Sequence, residues 1–482
     1  MSSNTKIYKK RLKPALRFYL SKHLSTISDF SIQILHIKCG LMLDNKRKIN
    51  PPLEGGSPEG EEVDKTPARH VLLPCDLRDL NIDIYRGEVC SLLYNIFPGT
   101  TNVTEARYRS HLLFQVKELP SSPWPLTVGN APITILSETS QGRALMFPRQ
   151  NLGNMSISIC RQNAIDKISD RILRELAASV QTDFQRRLPA IHIVEIMFTY
   201  ERTFYVVLHD NINIAETRVS LPGRIANYPV GYIHDHDLRQ PESAIESQSR
   251  GGIFDNTAYD VLRPGVLLCS EILAEHEQSV VSTTSGILVK NPAGHCFMTI
   301  PSNGTRVNTQ IWQATRRDKI VGKVAVEIPF TNISLVELGD DIKFENETFE
   351  NGGGAVLKFT RLATSEDNTD WPLCYLNSSY TGNMEGSVVM KSVKFEAVSR
   401  PPVETRSRLV VYNWSYMGQV EGNKDKDKDK ACFPKGTSGS VAWNDDGVVL
   451  SFYHHYIEEG KWSGFASLVS ASEVIEAGYD LA

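Results

Sequence analysis

The sequence predicts an α+β region over residues 67–250, then a mainly β region over 251–482, behind a tail over 1–66. Three observations predict this. A single amphipathic repeat at helical spacing sits among short β-branched runs in the first region. In the second, apolar runs recur between turn signals with almost no helical periodicity, the pattern of a β-barrel or a pair of barrels. The 482 residues, 41% of them hydrophobic, are enough for two or three cores.

The tail starts basic, with Lys6, Lys9, Lys10, Arg11, Lys13, Arg17 and Lys22, and continues into "NPPLEGGSPEGEEVDKTP". This Pro/Gly/Glu stretch buries too little to fold, so a solvated tail and linker are expected. No uninterrupted apolar core follows the basic start, so no secretory signal is read. No run approaches the roughly 20 apolar residues of a membrane span. An intracellular, cytoplasmic protein is the expectation.

In the first region the strands are "YRSHLLFQV", "APITIL", "SISIC", "IHIVEIMFTY" and "TFYVVLHD". The helix is read from Ile168, Ile172, Leu173, Leu176, Ala177, Val180, Phe184 and Leu188, with Pro189 as its stop. "IHDHDLRQPESAIESQSRGG" is polar and ends in glycines, and is read as the boundary. In the second region the strands are "VLLCSEIL", "SGILVK", "CFMTI", "KVAVEIPF", "ISLVEL", "AVLKFT", "SVVMKSVKFEA", "RLVVYNW", "SVAWN", "GVVLSFYHHY" and "GFASLVS". A short helix is read in "SASEVIEAGYDL", and "KDKDKDK" as a solvated loop.

Composition excludes several functions. A net charge of −4 argues against a nucleic-acid-binding protein. "GTTNVTEARYRS" lacks the lysine of a phosphate loop, and no G-x-G-x-x-G occurs, so no nucleotide cofactor is expected. The eight cysteines form no C-x-x-C and are read as mostly reduced and buried. His234 and His236 in "HDHD" have the spacing of a metal pair, but no third ligand is apparent, and a polar linker without metal is expected.

The chemistry-bearing string is "KGTSGSVAW". Gly436 and Gly439 allow the tight turn that projects a Ser438 hydroxyl and converges nearby N–H groups. A strand follows at once, which excludes the strand–turn–helix elbow of α/β-hydrolases. A plain glycine turn is the other reading.

"GTSGSVAWNDDGVVLSFYHHY" resembles the nucleophile segment of trypsin-like peptidases. "VSTTSGILVKNPAGHCFMTIPSNGT" is similar to that family's hairpin rising to the catalytic histidine, and "FTNISLVEL" to its strand carrying the aspartate. The resemblance covers roughly residues 262–482, and the whole chain is similar to a group of fungal proteins with such a C-terminal domain. It implies a double β-barrel, with Ser438 as nucleophile and an oxyanion hole from the N–H groups of Gly436 and Ser438. It also implies a substrate-pairing strand edge at His454, His455 and Tyr456.

The sequence departs from the family at the other two triad positions. The histidine position falls on Asn303, or on Ser302 at the shorter spacing, and the aspartate position on Asn332. An amide side chain accepts a hydrogen bond but cannot hold the serine's proton. Loss of the histidine alone costs on the order of 10⁶ in turnover. Two other bases are open, His295 in "GHC" and His454. His295 lies about 26 Å of strand from Asn303, and alternation puts His454 and His455 on opposite faces. The leading expectation is an inactive peptidase homologue that binds or regulates a peptide or protein through a strand edge at "SFYHHY". The alternatives are an active endopeptidase using His295 or His454, and an interaction protein whose α/β region carries the function.

Overall fold

The computed structural model describes residues 70–482 except 80, 106–111, 121–124, 126, 138–150, 161–167, 239–254, 275–276, 303–304, 314–315, 349–355, 368–370, 398–404, 416–435, 458–461 and 463–464. The tail, the "KDKDKDK" run and Asn303 therefore lie outside the described residues.

Residues 70–137 form a five-stranded mixed sheet with helix α1 (Gly87–Ile96) against it. Its own core gathers Leu77, Leu93, Phe97, Phe114, Val116 and Ile133, with the Phe97 and Phe114 rings edge to face at 4.9 Å. Helix α1 escaped the sequence reading for a physical reason. Its N-cap is Arg86, with no side-chain cap bond, and it fully buries only Leu93, so both start signal and stripe are weak.

Helix α2 (Asp170–Arg187) is the expected one. Ser169 caps it by accepting from the Ile172 N–H, and Leu173, Leu176, Ala177, Val180 and Phe184 are buried in one core with Ile196, Phe204 and Val206. Pro189 follows its end, where a helix cannot continue. A single turn, α3 (Ile214–Thr217), is capped by Asn213.

The sheet under α2 runs in the order Asn154–Ile159, Pro222–Ile225, Tyr228–His234, Phe204–Leu208, Ile193–Thr199. Tyr228–His234 is a correction. It is an inner strand parallel to Phe204–Leu208, not part of a polar linker, and a 3-10 turn over Asp235–Leu238 anchored by buried Leu238 follows it. Its Pro229 and Gly231 masked the strand pattern.

This sheet does not end at Ile193–Thr199. That strand pairs with the 16-residue strand Gly382–Ala397, from Met390↔Thr199 to Lys394↔Glu195. The order continues through Thr405–Ser415, Phe465–Ser470, Val448–Tyr456, Val441–Trp443 and Leu373–Ser378. Leu373–Ser378 pairs back onto the start of Gly382–Ala397, which closes a six-stranded barrel. Asp170 at the start of α2 binds Lys391 of the long strand at 2.7 Å, both being buried.

The other sheet has eight strands, in the order Glu277–Thr284, Leu267–Ala274, Gln310–Gln313, Arg316–Ile328, Ile333–Leu338, Cys296–Pro301, Leu288–Lys290, Asp480–Leu481. Glu277–Thr284 runs straight on into Leu288–Lys290. Between them the Gly286 N–H donates to Thr299 O at 2.7 Å and the Thr299 N–H donates to Ile287 O at 2.8 Å. The sheet thus returns onto Cys296–Pro301 and closes on itself, with Asp480–Leu481 added outside. Thr283 and Thr284 tie it to the first barrel. A shared core joins the two sheets, with Ile287, Ile333 and Leu335 meeting Val441, Phe452 and Val469. Helix α4 (Ser472–Glu476) closes the C-terminal end, as expected. "AVLKFT" forms only an isolated bridge, Glu347↔Lys358.

Candidate functional site

The loop from Gly436 to Ser440 lies between the two β sheets and is fixed by glycine and by main-chain bonds. Gly436 (φ +98°) and Gly439 (φ +95°) occupy the left-handed region. A Cβ on Gly436 would fall 2.3 Å from the Tyr380 ring, and one on Gly439 would fall 2.4 Å from Pro301 Cδ. Only glycine permits both the conformation and the approach. The Ser438 carbonyl accepts from the Thr284 N–H at 3.2 Å and from Thr283 Oγ1 at 3.1 Å. The Gly436 carbonyl accepts from Thr284 Oγ1 at 2.7 Å. From the other barrel, the Gly439 N–H donates to Tyr453 O at 3.0 Å and the Tyr453 N–H donates to Ser440 O at 2.7 Å.

With these carbonyls anchored, the N–H groups of Gly436 and Ser438 donate no hydrogen bond among the described residues. Ser438 Oγ is itself buried and has no hydrogen-bond partner among the described residues. No imidazole or carboxylate among the described residues therefore lies within bonding distance of it.

Asn303 lies outside the described residues, and of the two candidate histidine positions only Ser302 is described, next to Asn332. The Ser302 N–H donates to Asn332 O at 2.9 Å, and Ser302 Oγ bonds Ser334 Oγ at 2.9 Å. Asn332 is left-handed (φ +61°), a conformation asparagine tolerates better than most residues. It follows buried Thr331, whose hydroxyl bonds Ile328 O. Asn332, Pro301, Gly439, Tyr453 and His454 line a small cavity of about 10 Å³, near the lower limit of roughly 10–15 Å³ for one water.

His454 and His455 require a correction. A bulge between Tyr453 and His455 interrupts the ladder to Phe465–Ser470, so alternation fails and the two rings meet. Their Nδ1 atoms lie 3.4 Å apart, with the rings edge to face at 4.9 Å. One nitrogen must carry the proton and the other must accept. Burial, then the charges of Arg408 and Lys394, push the His454 pKa down to about 3. Burial and the neighbouring His454 push His455 well below its usual value. Tyr456 is buried and pairs with Ala466. Over His454–Tyr456 the opposite side of the strand pairs with no strand among the described residues.

His295 sits in the turn before Cys296–Pro301, its N–H bonded to Asn291 Oδ1. Pro301, which touches the Gly439 position, is at the far end of that strand, ~20 Å away. The cysteine reading is corrected in part. None of the six described cysteines forms a disulfide among the described residues, but of the six only Cys269 and Cys374 are buried, and Cys296 is exposed. Burial pushes the Cys374 thiol up to about 12. The His234/His236 pair also gains a third donor, Asp237, which the 3-10 turn folds back onto the strand end. Helical periodicity over so short a turn leaves no signal in a sequence.

Among the described residues, no helix is long and apolar enough to cross a membrane. The chain matches no protein-family model, and a search of curated proteins finds no match. Several solved structures similar to part of it are serine proteases of chymotrypsin type. Nocardiopsis protease is 12% identical over 45% of this chain and 96% of that one, with a TM-score of 0.30. Thermobifida fusca protease A is 11% identical over 46% and 98%, with a TM-score of 0.31. An α-lytic protease homologue, N4, is 17% identical over 46% and 100%, with a TM-score of 0.31.

Proposed function

We propose that residues 262–482 form a peptidase-like module that binds a peptide or protein segment and does not cleave it. The observation that carries this reading is the Ser438 hydroxyl, buried with no partner among the described residues to take its proton. A serine hydroxyl is a poor nucleophile without a positioned base. Ser302 and Asn332 supply none, and the depressed basicity of His454 makes it a weak substitute. The undonated N–H groups of Gly436 and Ser438 would donate to a carbonyl or carboxylate oxygen of the ligand. The edge at His454–Tyr456 would add the ligand as a strand. Such an arrangement keeps the binding half of a peptidase site and loses the chemical half.

The test is a fluorophosphonate probe on the full chain. The expected outcome is labelling no stronger than in Ser438→Ala. Strong labelling abolished by Ser438→Ala overturns the reading in favour of an active enzyme.

A further inference from the structure

We propose that His234, His236 and Asp237 bind a late first-row divalent cation, with Zn²⁺ as the fitting ion. The site lies away from the Ser438 loop and is independent of the binding role proposed there. Each of the three residues offers one donor atom, and the three atoms lie within 4.8 Å of one another. Two imidazoles and a carboxylate are the donor set of late first-row metals, and three protein donors leave a coordination position for water.

The surrounding bonds orient the donors. His234 Nε2 lies 2.7 Å from Ile212 O. A carbonyl can only accept, so Nε2 carries the hydrogen and the Nδ1 lone pair is left for a cation. His236 Nδ1 lies 2.9 Å from Asp210 Oδ1, which also accepts the His236 backbone N–H. That fixes the proton on Nδ1 and leaves Nε2. Asp237 Oδ2 accepts the His234 N–H at 3.2 Å and keeps its other oxygen. A carbonyl behind one histidine and a carboxylate behind the other are the outer contacts that metal-bound histidines ordinarily have.

The backbone places these groups together. His234 ends the Tyr228–His234 strand, paired in parallel with Leu208, and Asp210 and Ile212 follow that neighbouring strand. The site thus sits beyond the carboxyl ends of two parallel strands, where ligands of α/β sheets collect. Tetrahedral Zn²⁺ holds its donors about 3.3–3.6 Å apart, so the three must close on the ion. The His234 and His236 rings are stacked at 5.2 Å, and His236, with 46% of its side chain exposed, has room to turn.

The competing reading is a His–Asp ion pair that merely caps the strand. The experiment uses the full chain without a polyhistidine tag, stripped with chelator. Zn²⁺ affinity is read by competition with a chromogenic chelator, and Co²⁺ by its visible spectrum. One tight Zn²⁺ per chain is expected. Asp210→Asn should weaken it ~10–100-fold, His236→Gln by more, and His234→Gln/His236→Gln should abolish it while far-UV circular dichroism is unchanged. The Co²⁺ form should show weak ligand-field bands without a thiolate charge-transfer band. Unaltered affinity in the double variant, a thiolate band that survives it, or no tight Zn²⁺ at all overturns the proposal.

Discussion

Thr284 holds Ser438 across the junction of the two sheets, its N–H on the Ser438 carbonyl at 3.2 Å while its hydroxyl takes Gly436 O at 2.7 Å. One fully buried threonine thus fixes both carbonyls whose peptide groups frame the Ser438 hydroxyl. Thr284→Val keeps the shape and removes only the hydroxyl, which leaves the Gly436 carbonyl without that donor. A loss of ~1–3 kcal/mol is expected, seen as a lower urea midpoint at unchanged m-value. Thr284→Ser, which keeps the hydroxyl, should lose less than half as much.

The Asp170–Lys391 pair joins the first turn of α2 to the long strand at 2.7 Å, both side chains being about nine-tenths buried. Lys391→Met strands the carboxylate in the interior, and a cost of ~3–5 kcal/mol is expected. Adding Asp170→Asn removes the uncompensated charge. The double variant should therefore be more stable than Lys391→Met alone, measured by equilibrium unfolding.

Stability should fall in mild acid because of the two histidines. His454 and His455 have depressed pKa values in the folded chain, His454 about 3, against an ordinary value near 6.5 once unfolded. Between those values the unfolded chain binds protons and the folded chain does not. Their contribution is complete above pH ~6.5 and is lost as pH drops toward 3. The charges of Arg408, on Thr405–Ser415, and Lys394, on Gly382–Ala397, also oppose protonation of the pair. Melting temperature should decline from pH 7 to pH 5, and the decline should be shallower in His454→Gln/His455→Gln. An equal slope in both proteins would remove the histidines as its cause.

The α2 stripe from Leu173 to Phe184 was legible in the sequence because a local period of 3.6 needs no knowledge of distant residues. So were most strands, and so was the glycine turn at Ser438. The Ile193–Thr199 pairing was not, because register between strands nearly 200 residues apart is decided by tertiary packing, and closure of the barrel likewise needs Leu373–Ser378, beyond its hairpin partner, to find Val441–Trp443 much later in the chain. At the candidate site, the Thr283 and Thr284 anchors went unseen, since "STT" in a strand carries no motif. His454 and His455 meet instead of alternating because a bulge shifts the pattern by one residue without any mark in the composition. Asp237 was missed as a donor because a 3-10 turn, not a spacing rule, brings it back to His234.

The pairing of Gly382–Ala397 with Ile193–Thr199 bears on how the chain can be cut. A recombinant piece starting near residue 251 would keep every strand of the barrel yet lose the neighbour of Met390–Lys394. A raw rim of amides and carbonyls would then face water beside Lys391, robbed of its counter-ion. Exposed rims of this kind recruit foreign strands, so such a piece should self-associate more readily than the intact chain.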